Sequence, residues 1–266
     1  MKLFASGIGG SRFVWQAVPV AVMVLAYSLG TASAAIYAPD NFANGGGTNL
    51  ETVVIVKDST GRVLIGGAFT AVEGQAGHQG VARFNADGTL DAAFSIGANY
   101  YVKAIAVQGD GKILIGGKFN GVKPAGSATT TSIWGIARLK ENGTLDNTFQ
   151  NAPAGKVKSN LPVRGIAVQS GGKIVIVGHF TQIDGVARNH IARLNADGTL
   201  DTTFIVGAGA NNDIEDVKLQ ADGKILIAGS FTSVQGIDIR GIARLNSDGS
   251  LDETFVPNAG VAGVIN

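Results

Sequence analysis

The feature of this sequence that most constrains its fold is a segment that occurs four times. Its copies are VARFNADGTLDAAF (81–94), IARLKENGTLDNTF (136–149), IARLNADGTLDTTF (191–204) and IARLNSDGSLDETF (242–255). Their starts are 55, 55 and 51 residues apart. Self-similarity at such a period predicts one structural module that is built four times and stacks against its own copies.

Two other segments precede every copy in the same order. The nearer one is apolar and ends in glycine: GRVLIGGAF (61–69), GKILIGGKF (111–119), GKIVIVGHF (172–180) and GKILIAGSF (223–231). The farther one is ETVVIVK (51–57), VKAIAVQ (102–108), VRGIAVQ (163–169) and IEDVKLQ (214–220). These short Val- and Ile-rich segments, several separated by DG or GG pairs, predict strand, turn, strand, loop, strand, turn and short strand.

The predicted fold class is all-β: a β-propeller of four repeats, each a four-stranded antiparallel blade. The repeat units cover approximately 51–94, 102–149, 163–204 and 214–255. The second strand is apolar on both faces, as expected for a strand buried between two blades. The diglycines Gly66-Gly67 and Gly116-Gly117 indicate a bulge or a close backbone approach. A closed ring of four units is predicted, and an open, longer array with exposed strand edges is the alternative.

The motifs GKILIGGxF, IARLNxDGTLDxTF and xxxIAVQ resemble the delta-60 repeat, a bacterial β-propeller repeat family seen in exported and surface proteins. The resemblance covers about residues 37–266, and its motifs recur together and in order. It implies a propeller fold and export, but no defined activity. Kelch repeats are the second choice, since they share the diglycine strand but carry further Tyr and Trp signatures, and this chain has four Tyr and two Trp.

The first 34 residues differ from the rest of the chain. Lys2 and Arg12 are their only charges, an apolar run follows at 14–30, and Ala32 and Ala34 fit the small-residue rule for signal peptidase. Residues 1–34 are therefore predicted to be a signal peptide and 35–266 the propeller domain, with a retained anchor as the alternative. The mature protein is predicted to be periplasmic, cell-surface or extracellular, without membrane insertion after cleavage.

Composition excludes several classes of chemistry. The chain has no cysteine, which excludes disulfides, thiol catalysis and cysteine-ligated metal. Its net charge of +1 gives no indication of nucleic-acid binding. It also has no G-x-S-x-G motif, no phosphate loop and no convincing Ser/His/Asp set, so no catalytic residue is predicted.

The turn NADGTLD looks like a calcium loop, but the copies argue against a metal. Copy two has Lys140 and Asn142 where copy three has Asn195 and Asp197. A cation site would not survive a lysine in place of its first ligand. The Asn and Asp side chains are therefore predicted to cap their own turn, with the glycine at positive φ. No metal and no cofactor is predicted.

Two charged positions are the same in all four copies. They are the arginines Arg83, Arg138, Arg193 and Arg244 and the aspartates Asp91, Asp146, Asp201 and Asp252. The arginine lies among the apolar residues of a strand, and a buried charge needs a partner. Each arginine is predicted to pair with an aspartate of its own or the adjacent blade. The alternative is that four arginines line a central channel and bind an anion.

Candidate binding residues are expected where the copies differ. Trp134 lies in the longest loop between second and third strands, where it could stack on a sugar or anchor a partner. Covering the edge of its own blade is the alternative. His179 and His190 replace small residues in copy three only. They could share a site, but no third ligand is visible in the sequence, which argues against zinc.

The favoured function is an exported binding or surface-scaffold module without catalytic activity. Its partner would be a protein or a glycan, bound through the blade loops. One alternative is an exported propeller hydrolase or lyase acting on polysaccharide, because propellers host enzymes as well as binding proteins. The other is a fragment of a larger adhesin-like repeat protein.

Overall fold

A computed structural model of the chain describes residues 47–124, 127–149, 159–160 and 162–255. The predicted signal peptide lies outside these residues. The regular structure of the described part is β-strand, apart from a three-residue 3-10 turn at Ser170–Gly172. No helix in this part of the chain has the length and apolar character needed to cross a membrane.

Each of the four repeats forms a three-stranded antiparallel sheet with the second strand in the middle. The first strands are β1 (Thr52–Lys57), β7 (Val102–Val107), β12 (Val163–Val168) and β17 (Ile214–Leu219). The second strands are β2 (Val63–Gly67), β8 (Ile113–Gly117), β13 (Ile174–Gly178) and β18 (Ile225–Gly229). The third strands are β5 (Val81–Phe84), β11 (Ile136–Leu139), β16 (Ile191–Leu194) and β21 (Ile242–Leu245).

The predicted fourth strand is reduced to a single bridge. In each repeat the leucine of the TLD segment or its equivalent pairs once with the last residue of the third strand: Phe84 with Leu90, Leu139 with Leu145, Leu194 with Leu200 and Leu245 with Leu251. After this bridge the chain turns away from the third strand. The turn is closed by a backbone hydrogen bond, in which the N–H of Phe149 donates to the carbonyl of Asp146 at 3.2 Å, and the other repeats have the equivalent bond. The fold class is confirmed, with blades that are narrower than predicted at this edge.

Short strands occupy the loop between the second and third strands. Three repeats have a two-residue hairpin here: β3 (Ala71–Val72) with β4 (Gln75–Ala76), β14 (Gln182–Ile183) with β15 (Val186–Ala187), and β19 (Ser233–Val234) with β20 (Ile237–Asp238). In repeat two, β9 (Gly121–Pro124) lies between β6 (Ile96–Ala98) and β10 (Thr131–Ser132). The sequence predicted only a loop at these positions.

The glycine that ends the second strand is required by the first strand. A Cβ atom at Gly67 would collide with the carbonyl oxygen of Glu51, and one at Gly178 would collide with that of Pro162. The first strand is bulged at the same place, where its register with the second strand shifts. The predicted bulge and close backbone approach are therefore confirmed.

Of the four hydrophobic cores in the described part of the chain, three lie between repeats, and the fourth, which includes Phe69 and Phe84, lies within repeat one. One core joins Leu64 and Val81 of repeat one to Ile115 of repeat two. A second joins Leu114 and Ile136 to repeat three, and a third joins repeats three and four. The sheets of repeats two and three therefore each contribute their two faces to two different cores, which explains why their middle strands are apolar on both sides.

The first strands give the order of the repeats. β1 contacts β7, β7 contacts β12, and β12 contacts β17. Among the described residues no contact of similar extent joins β17 to β1. The repeats thus stack in chain order, and closure of the ring stays a prediction.

Candidate functional site

The NADGTLD turns are held by their own side chains. The Oδ1 atoms of Asp87, Asn142, Asp197 and Asp248 accept a hydrogen bond from the backbone N–H two residues later, at 2.9–3.0 Å. The same oxygen atoms also accept the hydroxyl of that Thr or Ser at 2.7 Å. The intervening glycines have φ between 84° and 96°. The predicted capping of the turn by Asn and Asp is confirmed, and an amide serves as well as a carboxylate because only an acceptor is needed.

Each shared arginine lies beside the shared aspartate of its own repeat. The Nε atom of Arg138 donates to Oδ2 of Asp146 at 2.9 Å, and Nε of Arg193 donates to Oδ2 of Asp201 at 2.7 Å. Each guanidinium also lies over the Phe that ends its repeat, with its central carbon 4.5–4.8 Å from the ring centroid. Each arginine was predicted to pair with an aspartate of its own or the adjacent blade, and in the structure it pairs with the aspartate of its own blade.

The first three arginines also reach the following repeat. Arg83 donates to the carbonyl of Glu141, Arg138 to that of Ala196, and Arg193 to that of Ser247. These carbonyls are equivalent, because each belongs to the second residue of the next NADG turn. Only 4–7% of these three arginine residues is exposed, which leaves little surface for an anion. They join adjacent repeats.

Hydrogen bonds to the shared aspartates lower their pKa values. Burial raises the pKa of Asp146, but hydrogen bonds from Thr148 and the charge of Arg138 outweigh it and hold that pKa below its ordinary value. Burial also opposes the effect at Asp201, where hydrogen bonds from Lys173, Thr203 and Arg193 hold the pKa well below its usual range. These carboxylates are therefore charged and fully engaged, and they are structural groups.

Trp134 has an exposed side chain at the start of the third strand of repeat two. Of this residue 42% is exposed, and its carbonyl accepts a hydrogen bond from the N–H of Ile136 at 2.9 Å. The next residue, Gly135, is the equivalent of His190 in repeat three, since each immediately precedes the start of its third strand. An exposed indole at this place is available to a ligand.

The structure brings His179 and His190 to the same aspartate. The Nε2 atom of His179 lies 3.3 Å from Oδ2 of Asp213, and Nδ1 of His190 lies 3.4 Å from Oδ1. His179 Nε2 is also 3.0 Å from Oε1 of Glu215, whose Oε2 accepts from Nη1 of Arg164 at 2.7 Å. Two carboxylates from the next repeat therefore lie beside the histidines, and the sequence alone did not reveal them.

His190 has a backbone conformation that is unusual for its residue type. Its φ is 66°, and the equivalent residues Gly80, Gly135 and Gly241 have φ between 72° and 77°. A left-handed conformation costs a residue with a side chain about 1–2 kcal/mol. Its Nδ1 atom lies 3.1 Å from the carbonyl of Gly178, which orients the ring towards Asp213.

Asp213, Glu215 and Arg164 belong to positions at which the four copies differ. Asp213 corresponds to Glu51, Tyr101 and Pro162, because each directly precedes its first strand or lies at its start. Glu215 corresponds to Val53, Lys103 and Arg164. His179 corresponds to Ala68, Lys118 and Ser230, just after the second strand, so it replaces a lysine in one copy and small residues in the other two, not small residues throughout as predicted. The signal in the sequence was this divergence inside an otherwise repeated frame.

We call the charged and aromatic side chains at these positions, together with His190, the variable rim. They all lie at the same end of the sheets, opposite the NADG turns, since first strands begin and second strands end there. The rim consists of Glu51, Tyr101, Lys103, Lys118, Arg164, His179, His190, Asp213 and Glu215.

Contacts within the variable rim link neighbouring repeats. The hydroxyl of Tyr101 donates to Oε2 of Glu51 at 3.1 Å. Burial and this carboxylate raise the pKa of Tyr101 to about 12, against the opposing charge of Arg164. Arg164 in turn pairs with Glu215. Interacting groups thus run from repeat one to repeat four along one edge of the molecule.

The four stacked sheets, their shared cores and their repeated arginine contacts define a β-propeller repeat protein. Comparison with family models agrees, and the match covers residues 59–94, 108–149, 169–204 and 220–255. The chain belongs to the family described as "Domain of unknown function (DUF5122) beta-propeller".

Similar solved structures are propellers with low sequence identity. Virginiamycin B lyase from Staphylococcus aureus, as a catalytically inactive variant with quinupristin, is 16% identical with a TM-score of 0.46, over 80% of this chain and 59% of that one. The WD40 β-propeller domain of Doa1 is 16% identical with a TM-score of 0.41, over 66% of this chain and 46% of that one. The chain thus spans about half the length of these structures. No curated protein matches the sequence.

Proposed function

We propose that this chain is the ligand-binding propeller domain of an exported protein and that it binds its ligand through the variable rim. The observation that carries the proposal is where the departures from the repeat lie. The cores and turns are nearly the same in all four repeats, whereas charged and aromatic groups that differ between repeats are gathered along one edge. A binding surface needs such groups to be accessible. The rim side chains of repeats three and four are 12–31% exposed: Arg164, His179, His190, Asp213 and Glu215.

In repeat two, the chemistry of the rim and of the exposed rings of Tyr100 and Trp134, which lie outside the rim as defined, favours an acidic glycan. Nζ of Lys103 lies 5.4 Å from the centroid of the Tyr101 ring, and Nζ of Lys118 lies 5.5 Å from that of Tyr100. Tyr100 is 58% exposed and Trp134 is 42% exposed. Exposed aromatic rings stack on sugar faces, and adjacent ammonium groups bind carboxylates or sulfates. A protein with an acidic patch is the other partner that this surface suits.

Catalysis is less well supported. Asp213 and Glu215 are the carboxylates that the rim places close together, but both lie against one imidazole, and Glu215 is also paired with Arg164. A glycosidase needs one carboxyl group free to give a proton and another free to attack or to activate water. Groups that are held in this way suit binding better than proton transfer.

Two further parts of the proposal rest on the sequence. Export rests on the first 34 residues, and N-terminal sequencing of the mature protein from the periplasmic or culture fraction tests it, with Ala35 as the expected first residue. We assign the repeats to the delta-60 type because GKILIGGxF and IARLNxDGTLDxTF recur together.

The binding proposal is tested by screening the mature protein against an array of acidic and neutral glycans, and by measuring the affinity of each hit by calorimetry. We expect acidic glycans to bind, and the double variant Lys103→Ala/Lys118→Ala to bind them about 10-fold or more weakly, because a hydrogen bond to a charged group contributes roughly 1.5–3 kcal/mol. Trp134→Ala is expected to weaken the same hits.

Lys140→Ala is the matched control, since this exposed lysine lies on an NADG-type turn at the opposite end of the sheets. It removes one positive charge, against two in the double variant, and is expected to leave the affinity unchanged. If the lysine double variant binds as tightly as the unmodified protein, the rim is not the binding surface. If the array shows no hit, the glycan proposal fails.

A further inference from the structure

The cluster at the junction of repeats three and four has the arrangement of a metal site. Its inner atoms are Nε2 of His179, Oδ2 of Asp213 and Oε1 of Glu215, which lie within 4.8 Å of one another. Two of the three separations are 3.0 Å and 3.3 Å. Ligand atoms about 2.0–2.1 Å from a tetrahedral ion lie about 3.4 Å apart, so these separations are close to those that an ion requires.

The second oxygen atom of each acidic ligand contacts a nitrogen atom of a basic side chain. Oδ1 of Asp213 faces Nδ1 of His190 at 3.4 Å, and Oε2 of Glu215 accepts from Arg164 at 2.7 Å. Supporting contacts of this kind fix the orientation of metal ligands in proteins and strengthen binding. The cluster therefore has an inner set that faces a common point and an outer set that holds it in place.

His190 gives an independent reason to assign a role to the outer set. Its left-handed backbone is unfavourable for a residue with a side chain, whereas its three counterparts are glycines. Glycine would satisfy the fold at this position, so the structure retains the strain for the imidazole. The imidazole contacts Asp213 and the carbonyl of Gly178.

We propose that His179, Asp213 and Glu215 bind a divalent first-row transition ion, with His190 and Arg164 as positioning residues. One imidazole and two carboxylates suit ions such as Zn²⁺ or Mn²⁺. Three protein ligands leave a further coordination position, and the 19–31% exposure of the ligand side chains directs it to solvent. This inference builds on the proposed function, since an ion here would bind a donor group of the ligand at the rim.

The experiment is calorimetric titration of the full chain, freed of metal by a chelator, with Zn²⁺ and separately with Mn²⁺. We expect one ion per chain for at least one of the two metals, and loss of binding in His179→Ala and in Asp213→Asn. Asp216→Asn is the matched control: Asp216 is a neighbouring acid, 55% exposed and paired with Lys218, and it lies outside the cluster. It is expected to bind as the unmodified chain does.

His190→Gly separates positioning from a role in folding. It restores the residue of the other three repeats, so thermal stability without metal is expected to stay the same or rise. Metal affinity is expected to fall about 10- to 100-fold, the usual effect of removing a supporting contact. Unchanged affinity in this variant would show that His190 does not position Asp213.

Two results would overturn the metal site: no saturable binding of either ion, or binding that survives His179→Ala. Repeating the glycan measurements with a chelator distinguishes this failure from failure of the proposed function. Glycan binding that persists in chelator while Zn²⁺ and Mn²⁺ do not bind would leave the rim as a binding surface without a metal.

Discussion

Repeats three and four have nearly the same sequence around their shared arginine, but the arginines have different surroundings. The Arg193 side chain is 8% exposed and donates to Asp201 and to the carbonyl of Ser247 in the next repeat. The Arg244 side chain is 20% exposed and bonds to Asp252 and Thr254 of its own repeat. Among the described residues no carbonyl of a following repeat contacts it.

The apolar residues beside these arginines show the same difference. Ile136 and Ile191 are 0% and 1% exposed, whereas their equivalent Ile242 is only partly buried. Leu114 is buried and its equivalent Leu226 is partly buried. Equivalent side chains are therefore fully buried where a following repeat packs against them, as in repeats two and three, and only partly buried in repeat four. The stability of each repeat includes an interface with its neighbour, as in other repeat proteins.

The largest expected effect comes from removing an arginine that joins two repeats. Arg138→Met should lower the free energy of unfolding by about 3–5 kcal/mol, because it leaves the buried Asp146 without its cation. Among the described residues Asp146 has an ion pair with Arg138 and none with a lysine, in contrast to Asp201, which also pairs with Lys173. Urea unfolding followed by circular dichroism measures the change.

Arg244→Met is the matched variant in the last repeat. We expect a much smaller loss, since no described residue of a following repeat contacts Arg244, and Asp252 keeps Lys224 at 2.7 Å. Arg193→Met should fall between the two. Equal losses in all three variants would contradict the conclusion that the contact with the next repeat supplies much of the stabilisation.

A smaller or similar loss of unfolding free energy is expected from truncating an apolar side chain that packs between two repeats. Ile191→Ala should cost about 2–5 kcal/mol, because it opens a cavity in the core shared by repeats three and four. Ile242→Ala should cost clearly less, because the same side chain in repeat four is partly exposed before it is removed. The comparison fails if thermal denaturation shows the two variants to be equally destabilised.

The smallest effect is on stability in acid. Here we expect repeats two and four to behave alike, because the pKa of the shared aspartate is lowered in both. Burial raises the pKa of Asp146, but hydrogen bonds from Thr148 and the charge of Arg138 outweigh it and lower that pKa. Hydrogen bonds from Lys224 and Thr254 lower the pKa of Asp252. The unfolded chain protonates these carboxyls near pH 3.9, above their folded pKa values. Their stabilisation is therefore present above about pH 4 and is lost as pH falls through the folded pKa.

Urea unfolding at several pH values between 7 and 2 checks this expectation. Asp146→Asn and Asp252→Asn should each make the free energy of unfolding fall less steeply in acid. A steeper fall in either variant would mean that the carboxyl takes up its proton more readily in the folded state than in the unfolded chain.

Most of the fold could be predicted from the sequence because each strand occurs four times. The alternation of short apolar segments with DG and GG pairs located three strands per repeat, and the diglycine indicated the close approach at Gly67. The fourth strand was predicted too long, because the turn that ends it depends on backbone bonds such as Phe149 to Asp146. Hairpins such as β14–β15 lack a strong apolar pattern and were missed.

The candidate site could be predicted only in part. His179 and His190 stood out because they break the repeat, but Asp213 and Glu215 come from the following repeat, and their distance from the histidines depends on how two sheets stack. Periodicity within one strand carries no information about that stacking. The left-handed backbone of His190 likewise becomes visible only when it is superposed on Gly135 and Gly241.

The position of the cores has a consequence for any attempt to shorten this chain. The sequence copies end between sheets, but a hydrophobic core spans each boundary between adjacent repeats, so a cut placed between two copies exposes both halves of one core. The smallest excised fragment with a complete interior is therefore a pair of adjacent copies. A single copy expressed alone would present two uncovered apolar faces and is expected to aggregate.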